Sequence, residues 1–217
     1  MKLIFVNLRA AALALCCVLA CGALVRAQEK PAPAGGGEGL TVEQALARYE
    51  QALQAATDPA RKFYLLTDAA PTALAAGQTG KAKSYARALL DQAPAMEKDW
   101  NYGNAVHVGN TVLGLMALRD GNVAEAGRLL LASAGSHGSP QLNSFGPDMT
   151  LAKELLAKGE RSTVAQYLEL CGKFWKGDFG KLADWKPAVA RGETPDFRPN
   201  LGLLTRWRFV NWGKIQP

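Results

Sequence analysis

Cysteine and histidine are scarce in this 217-residue chain, which has four of the first and two of the second. Cys16, Cys17 and Cys21 fall within the first 27 residues. A chain cut after Ala27 keeps only Cys171, and one cysteine closes no internal disulfide. The fold must then rest on its core. His107 and His137 stand 30 residues apart, with no H-E-x-x-H or C-x-x-C beyond residue 27. That is too small a ligand set for zinc, so no metal site is expected. The chain also lacks G-x-x-x-x-G-K-[ST], G-x-G-x-x-G after a strand, and G-x-S-x-G. No nucleotide or other cofactor and no hydrolase elbow is expected. Strong charge is missing as well. The formal net charge is +6, but residues 1–27 hold three basic residues and no acid, which leaves 22 basic against 19 acidic residues, or +3. Nucleic-acid binding needs a clustered basic footprint, and none is visible.

What is present begins with an address. Lys2 and Arg9 precede an uncharged run of 16 residues, Ala10 to Val25. The run is too short to span a membrane comfortably and suits the apolar core of a secretory signal. Val25 and Ala27 occupy the small-residue positions of a cleavage site, so residues 1–27 read as a signal peptide and Gln28 as the mature start. A rival within export is "VLAC", Val18 to Cys21, which resembles a bacterial lipobox with Cys21 lipidated. Leu19 fits that pattern poorly. Residues 28–39, "QEKPAPAGGGEG", form a Pro/Gly linker with nothing to build a core. The remaining residues suffice for one domain.

From Leu40 the pattern is helical. Val42, Ala45, Leu46, Tyr49, Leu53 and Ala56 recur at three- and four-residue spacing, with Thr41 and Gln44 placed as a capping box. A repeat appears when Gly77, Gly121 and Gly159 are aligned. Eight and seven residues before them lie Ala69-Ala70, Leu113-Gly114 and Leu151-Ala152; four before lie Ala73, Ala117 and Leu155. Five after lie Ala82, Ala126 and Val164; nine after, Ala86, Leu130 and Leu168; twelve after, Leu89, Ser133 and Cys171. A glycine that ends one helix lets a second fold back, and small residues beside it let the backbones approach.

This grid resembles the tetratricopeptide repeat, over about Arg61 to Trp175. The middle unit, "NTVLGLMALRDGNVAEAGRLLLASA", carries it best. Pro71 is expected to kink or split the first helix of the first unit, and Val164 replaces the small alanine of the third. Glycine spacings of 44 and 38 mark divergent units joined by long loops. The run from Gly109 to Trp175 is also similar to a set of bacterial tetratricopeptide-like proteins that share "GSPQLNSFGPDM" and "LELCGKFW". That resemblance implies a fold and supplies no activity.

Between the second and third units lies "SAGSHGSPQLNSFGPDM", Ser133 to Met149. Gly135, Gly138 and Pro140 end the preceding helix, Gly146-Pro147 turns the chain, and Asp148 is placed to cap the next helix. Leu142 and Phe145 are spaced to drop onto the hairpins, while Asn143 and Ser144 can close turns. The same polar residues could instead form a binding loop. Asn104, His107 and Asn110 share one face of the middle unit's first helix and could meet His137, Asn143, Ser144 and Asp148. Those seven are the candidate protein-binding residues. Cys171 sits at a core position and reads as packing. No catalytic residue is assigned; the enzyme alternative would need His107, His137 and Asp148 in one pocket.

The face expected to line a peptide groove holds Thr67, Leu74, Thr111, Leu115, Arg119, Met149 and Lys153. It offers no basic clamp for a carboxylate terminus, so an apolar or helical partner segment, or the chain's own tail, is its expected occupant. Gly180 to Arg191 is expected to form a last helix packing Leu182, Trp185 and Val189 against the open end of the stack. Residues 193–217 read as an irregular aromatic and basic tail. It includes Arg206, Trp207, Arg208 and Trp212, and either docks or touches an anionic membrane. The expectation is an all-α, tetratricopeptide-like domain over residues 40–192, about three divergent hairpins with an N-terminal helix and a C-terminal helix and tail. It would be an exported, periplasmic or secreted scaffold that binds a protein or peptide in the bacterial envelope and has no enzymatic activity. The alternatives are the enzyme above and a self-associating structural lipoprotein anchored at Cys21.

Overall fold

The computed structural model describes residues 40–202 and Leu204. The expected signal, the Cys21 lipobox and the linker lie outside those residues, as do Arg206, Trp207, Arg208 and Trp212. The described residues are helical, with no strand among them: α1 Val42–Ala55, α2 Pro59–Ala75, α3 Thr79–Gln92, α4 Tyr102–Arg119, α5 Val123–Ser133, α6 Pro140–Phe145, α7 Thr150–Ala157, α8 Arg161–Phe174 and α9 Lys181–Ala190. No helix among them is long and apolar enough to cross a membrane.

Helix α1 opens as its sequence dictates. Thr41 Oγ1 accepts from Gln44 N, and the Gln44 side chain accepts from Thr41 N, which satisfies two orphan donors. Asp58 does more than break the chain: its carboxylate accepts from Ala60 N and Arg61 N and so starts α2. Helix α2 then runs unbroken through Pro71, contrary to the expected split. Proline removes one N–H from the ladder, but Pro71 and its neighbours from Ala69 to Leu74 are buried. Tertiary packing thus holds the turn that proline weakens.

The three aligned glycines close their hairpins in one way. Gln78 N donates to Ala73 O, Asn122 N to Ala117 O and Glu160 N to Leu155 O, at 2.9, 2.8 and 3.0 Å. Each glycine N–H donates to the residue three before it, and each has a positive φ, between 71 and 87°. This is a Schellman closure, which needs a left-handed residue and therefore favours glycine. Gly192 repeats it after α9, with Glu193 N donating to Ala188 O. The residues at the repeat positions are the core: Ala69, Ala70, Ala73, Ala82, Ala86, Leu89, Ala126, Leu130, Leu151, Ala152, Leu155, Val164, Leu168 and Cys171 are at most 1% exposed. Only Leu113 and Ala117 among them are half-buried.

Apolar packing gathers in two main clusters. One joins α2, α3 and α4 around Phe63, Leu89 and Val112, and Leu204 belongs to it. The other joins α5, α7, α8 and α9 around Leu130, Leu155, Tyr167 and Trp175. Helix α9 buries Leu182, Trp185 and Val189, as expected. The irregular stretch after it is not loose where it is described. Phe197 is 2% exposed and meets the Trp185 ring edge-on at 4.8 Å, so the packed core extends past residue 192.

Candidate functional site

The Ser133 to Met149 stretch folds into a joint built around α6. Ser139 Oγ accepts from Leu142 N, which caps that short helix, and donates to Asn104 Oδ1 at 2.6 Å. Asn104 Nδ2 donates to Asn101 Oδ1 and to Gln141 Oε1. Asn101 Nδ2 donates in turn to Thr67 Oγ1, and Thr67 Oγ1 to Phe63 O. An unbroken chain of hydrogen bonds therefore ties the joint to α4 and α2. Its donors and acceptors are used on the protein itself, as buried polar groups must be.

His107 and Asp148 meet deeper in. Each is 2% exposed. His107 Nε2 accepts from Asp148 N at 3.0 Å, so the ring's proton sits on Nδ1. Burial pushes the imidazole pKa down to about 4, against the opposing pull of the Asp148 carboxylate and the Ser133 carbonyl. Asp148 Oδ1 accepts from Thr150 N at 2.7 Å and opens α7; Oδ2 accepts from Leu204 N at 3.1 Å. Asp148 is thus a three-way knot between α4, α7 and the residues near Leu204. Met149 N adds a bond to Asn200 O, and Asn200 Nδ2 donates to Phe145 O and Pro147 O.

The other candidates lie apart from this pair. Asn110 Nδ2 donates to Val106 O of its own helix, so it is spent locally rather than presented. His137 Nε2 lies 3.3 Å from Glu97 O and its ring packs on Tyr102, with no hydrogen bond to His107 or Asp148. Asn143 straps the joint to the end of α8, accepting Lys176 N on Oδ1 and Gly177 N on its carbonyl. Ser144 is exposed beside it. Phe145 does not drop onto the hairpins as expected: it is 52% exposed, because α6 buries only Leu142. Cys171 is fully buried, and burial raises its thiol pKa well above the ordinary value.

The expected peptide groove is a further correction. Thr67, Leu74, Thr111 and Met149 are all buried, so no open concave face exists along them. Arg119 and Lys153 stay exposed. The open concave surface lies instead between α3, the end of α4 and the start of α5. A cleft of about 380 Å³ there has Leu113, Met116, Ala117 and Leu129 as an apolar floor. Lys83 and Arg87 rise from α3 on one side. A second cleft of about 260 Å³ adjoins it through Lys83, Met116 and Asp120 and adds Arg119. Arg128 is forked onto Glu125 at 2.6 and 2.7 Å, which neutralises both. Lys83, Arg87 and Arg119 have no ion pair among the described residues, and Asp120 and Asp91 are the acids that line this surface with them. The sequence carried a weak trace of this cleft. Lys83 and Arg87 are four apart on a helix whose other face is alanine, and like charges at that spacing repel. No family model matches the chain, and no curated protein or solved structure matches it.

Proposed function

We propose that this chain is an exported, non-enzymatic protein-binding scaffold of the bacterial envelope, built from divergent tetratricopeptide-like hairpins. Its partner presents an acidic segment with apolar side chains to the cleft between α3, α4 and α5. The observation that carries this reading is the pairing, in one open cleft, of an apolar floor with three cations that form no ion pair among the described residues and outnumber the acids beside them, Asp120 and Asp91. Charge complementarity of that kind steers association and selects partners. The hairpin reading rests on the repeated closures at Gly77, Gly121 and Gly159 and on the contacts of α4 with both α2 and α3. The polar residues of the joint act in this scheme as struts that hold α4 and α7 in place.

A photo-crosslinking phenylalanine introduced at Arg87 of the full chain, expressed in a bacterial envelope, tests the proposal. The expected result is one dominant adduct, with its yield cut at least about tenfold by charge reversal at Lys83 and Arg119. The variant Asn143→Ala should leave that adduct unchanged. An adduct indifferent to the reversed charges but lost in Asn143→Ala would return the contact surface to the joint.

A further inference from the structure

Most buried polar groups of the joint are spent on the protein itself, but a few side-chain atoms behind it are not. His107 Nδ1, Thr111 Oγ1 and Tyr167 Oη are buried without a hydrogen-bond partner among the described residues. Their residues are 2%, 1% and 0% exposed. A buried polar group in that state is costly, and native folds rarely leave one so. Trp175 Nε1 shares the condition but lies apart, beside Gly146.

The three atoms converge from two helices. Thr111 stands one turn beyond His107 on α4, on the same face. Tyr167 comes from α8. The neighbours they share bring them together. The Ser133 carbonyl and the Asp148 carboxylate both act on the His107 ring. Burial raises the Tyr167 hydroxyl well above the ordinary tyrosine range; Cys171 and the Asp148 charge add to this and Ser133 opposes it. Both rings therefore face the end of α5 and the Asp148 carboxylate. Neither neighbour is free to serve them fully. Ser133 Oγ gives its proton to Leu130 O at 2.7 Å, and the two Asp148 oxygens already accept from Thr150 N and Leu204 N. Ser133 is the last residue of α5, where a carbonyl has no partner within its helix.

The chemistry of the spot selects its occupant. His107 Nδ1 carries the ring proton, because Nε2 accepts from Asp148 N. That N–H and the Tyr167 hydroxyl are donors, which oppose a cation, and no group of three metal-ligating side chains exists among the described residues. The Asp148 charge beside them opposes an anion. None of the three residues lines the clefts described above, so a larger molecule has no path in. What remains is a small neutral molecule that both accepts and donates.

We propose that His107 Nδ1, Thr111 Oγ1 and Tyr167 Oη form a closed binding site for one water molecule, which accepts from the imidazole N–H and the phenol and donates to the threonine hydroxyl and the Ser133 carbonyl. Internal waters are held by two to four such partners. The site is separate from the cleft between α3, α4 and α5. It joins α4, which packs in the first apolar cluster, to Tyr167 in the second.

The test is a crystal structure of the full chain at a resolution that shows ordered water, with Tyr167→Phe solved beside it. The expected result is one peak within hydrogen-bond distance of both His107 Nδ1 and Tyr167 Oη, lost or displaced in the variant. In solution, water magnetisation should reach the Thr111 γ-methyl protons with the sign of a long-lived bound molecule. Tyr167→Phe should raise the unfolding equilibrium constant about five- to tenfold, since the water loses one partner. No peak at that position in the parent would overturn the proposal, including a structure in which Tyr167 Oη bonds directly to Ser133 or Cys171. So would a Tyr167→Phe protein as stable as the parent or more so, because removing a hydroxyl that has no partner costs nothing.

Discussion

Acidification from pH 6.5 to 4 is expected to cost about 3 kcal/mol of stability through His107 alone. The folded imidazole, with its pKa near 4, binds a proton more weakly than the unfolded one at 6.5. Between those values the unfolded chain therefore takes up more protons, and stability falls as pH falls. Below about 4 no further loss comes from this group. The main physical cause is burial, which penalises the charged imidazolium; a proton on Nε2 would also turn the acceptor of the Asp148 N–H into a second donor facing it. Urea midpoints measured across this range would check it. His107→Gln keeps an acceptor and removes the titration, so its midpoint should be nearly flat where that of the parent slopes. An equal slope in both proteins would place the acid sensitivity elsewhere. The bond at stake holds Asp148, so acid should also loosen Leu204, which hangs from the same carboxylate.

Gly103→Ala is expected to destabilise the fold by at least about 3 kcal/mol or to prevent folding. A Cβ built at Gly103, in the first turn of α4, falls on the carbonyl of Gly138, and both partners are backbone. Neither can swing away, because Asn104 is bonded to Ser139 and Gln141 just beyond. Helix propensity alone would favour alanine by about 1 kcal/mol, so a loss of stability here can only come from the close approach to Gly138. Gly114→Ala is the comparison. Its Cβ meets Leu151 Cδ2, the end of a side chain that can repack, and the cost should stay near 1 kcal/mol. Denaturant midpoints of the two variants should differ clearly. Equal midpoints would mean that the joint sits further from α4 than the structure places it.

Some of this was legible in the residues. The spacing around Gly77, Gly121 and Gly159 located three turns and a core of alanines and leucines, because helix closure demands a left-handed residue and close packing demands small ones. Thr41 with Gln44 was readable for a similar reason, since capping is a contact between near neighbours in sequence; Asp148 does bond Thr150 N, but Met149 and not Asp148 stands at the N-cap of α7. The last helix was readable from the spacing of Leu182, Trp185 and Val189. Pro71 misled, because local propensity was outweighed by burial that only distant residues could provide.

The candidate site fared differently for one reason throughout. Asn104, His107 and Asn143 are polar residues at helix and loop positions, and a sequence shows their chemistry but not where their hydrogen bonds go. Partners 33 to 41 residues away decide that: Lys176 for Asn143, Ser139 for Asn104, Asp148 for His107. The sequence alone determined that the described residues are helical and where three of their hairpins close, since those follow from composition and short-range spacing. Only the tertiary structure decided which polar groups are consumed inside the fold and which surface stays open. Burial is set by elements that meet across long stretches of chain.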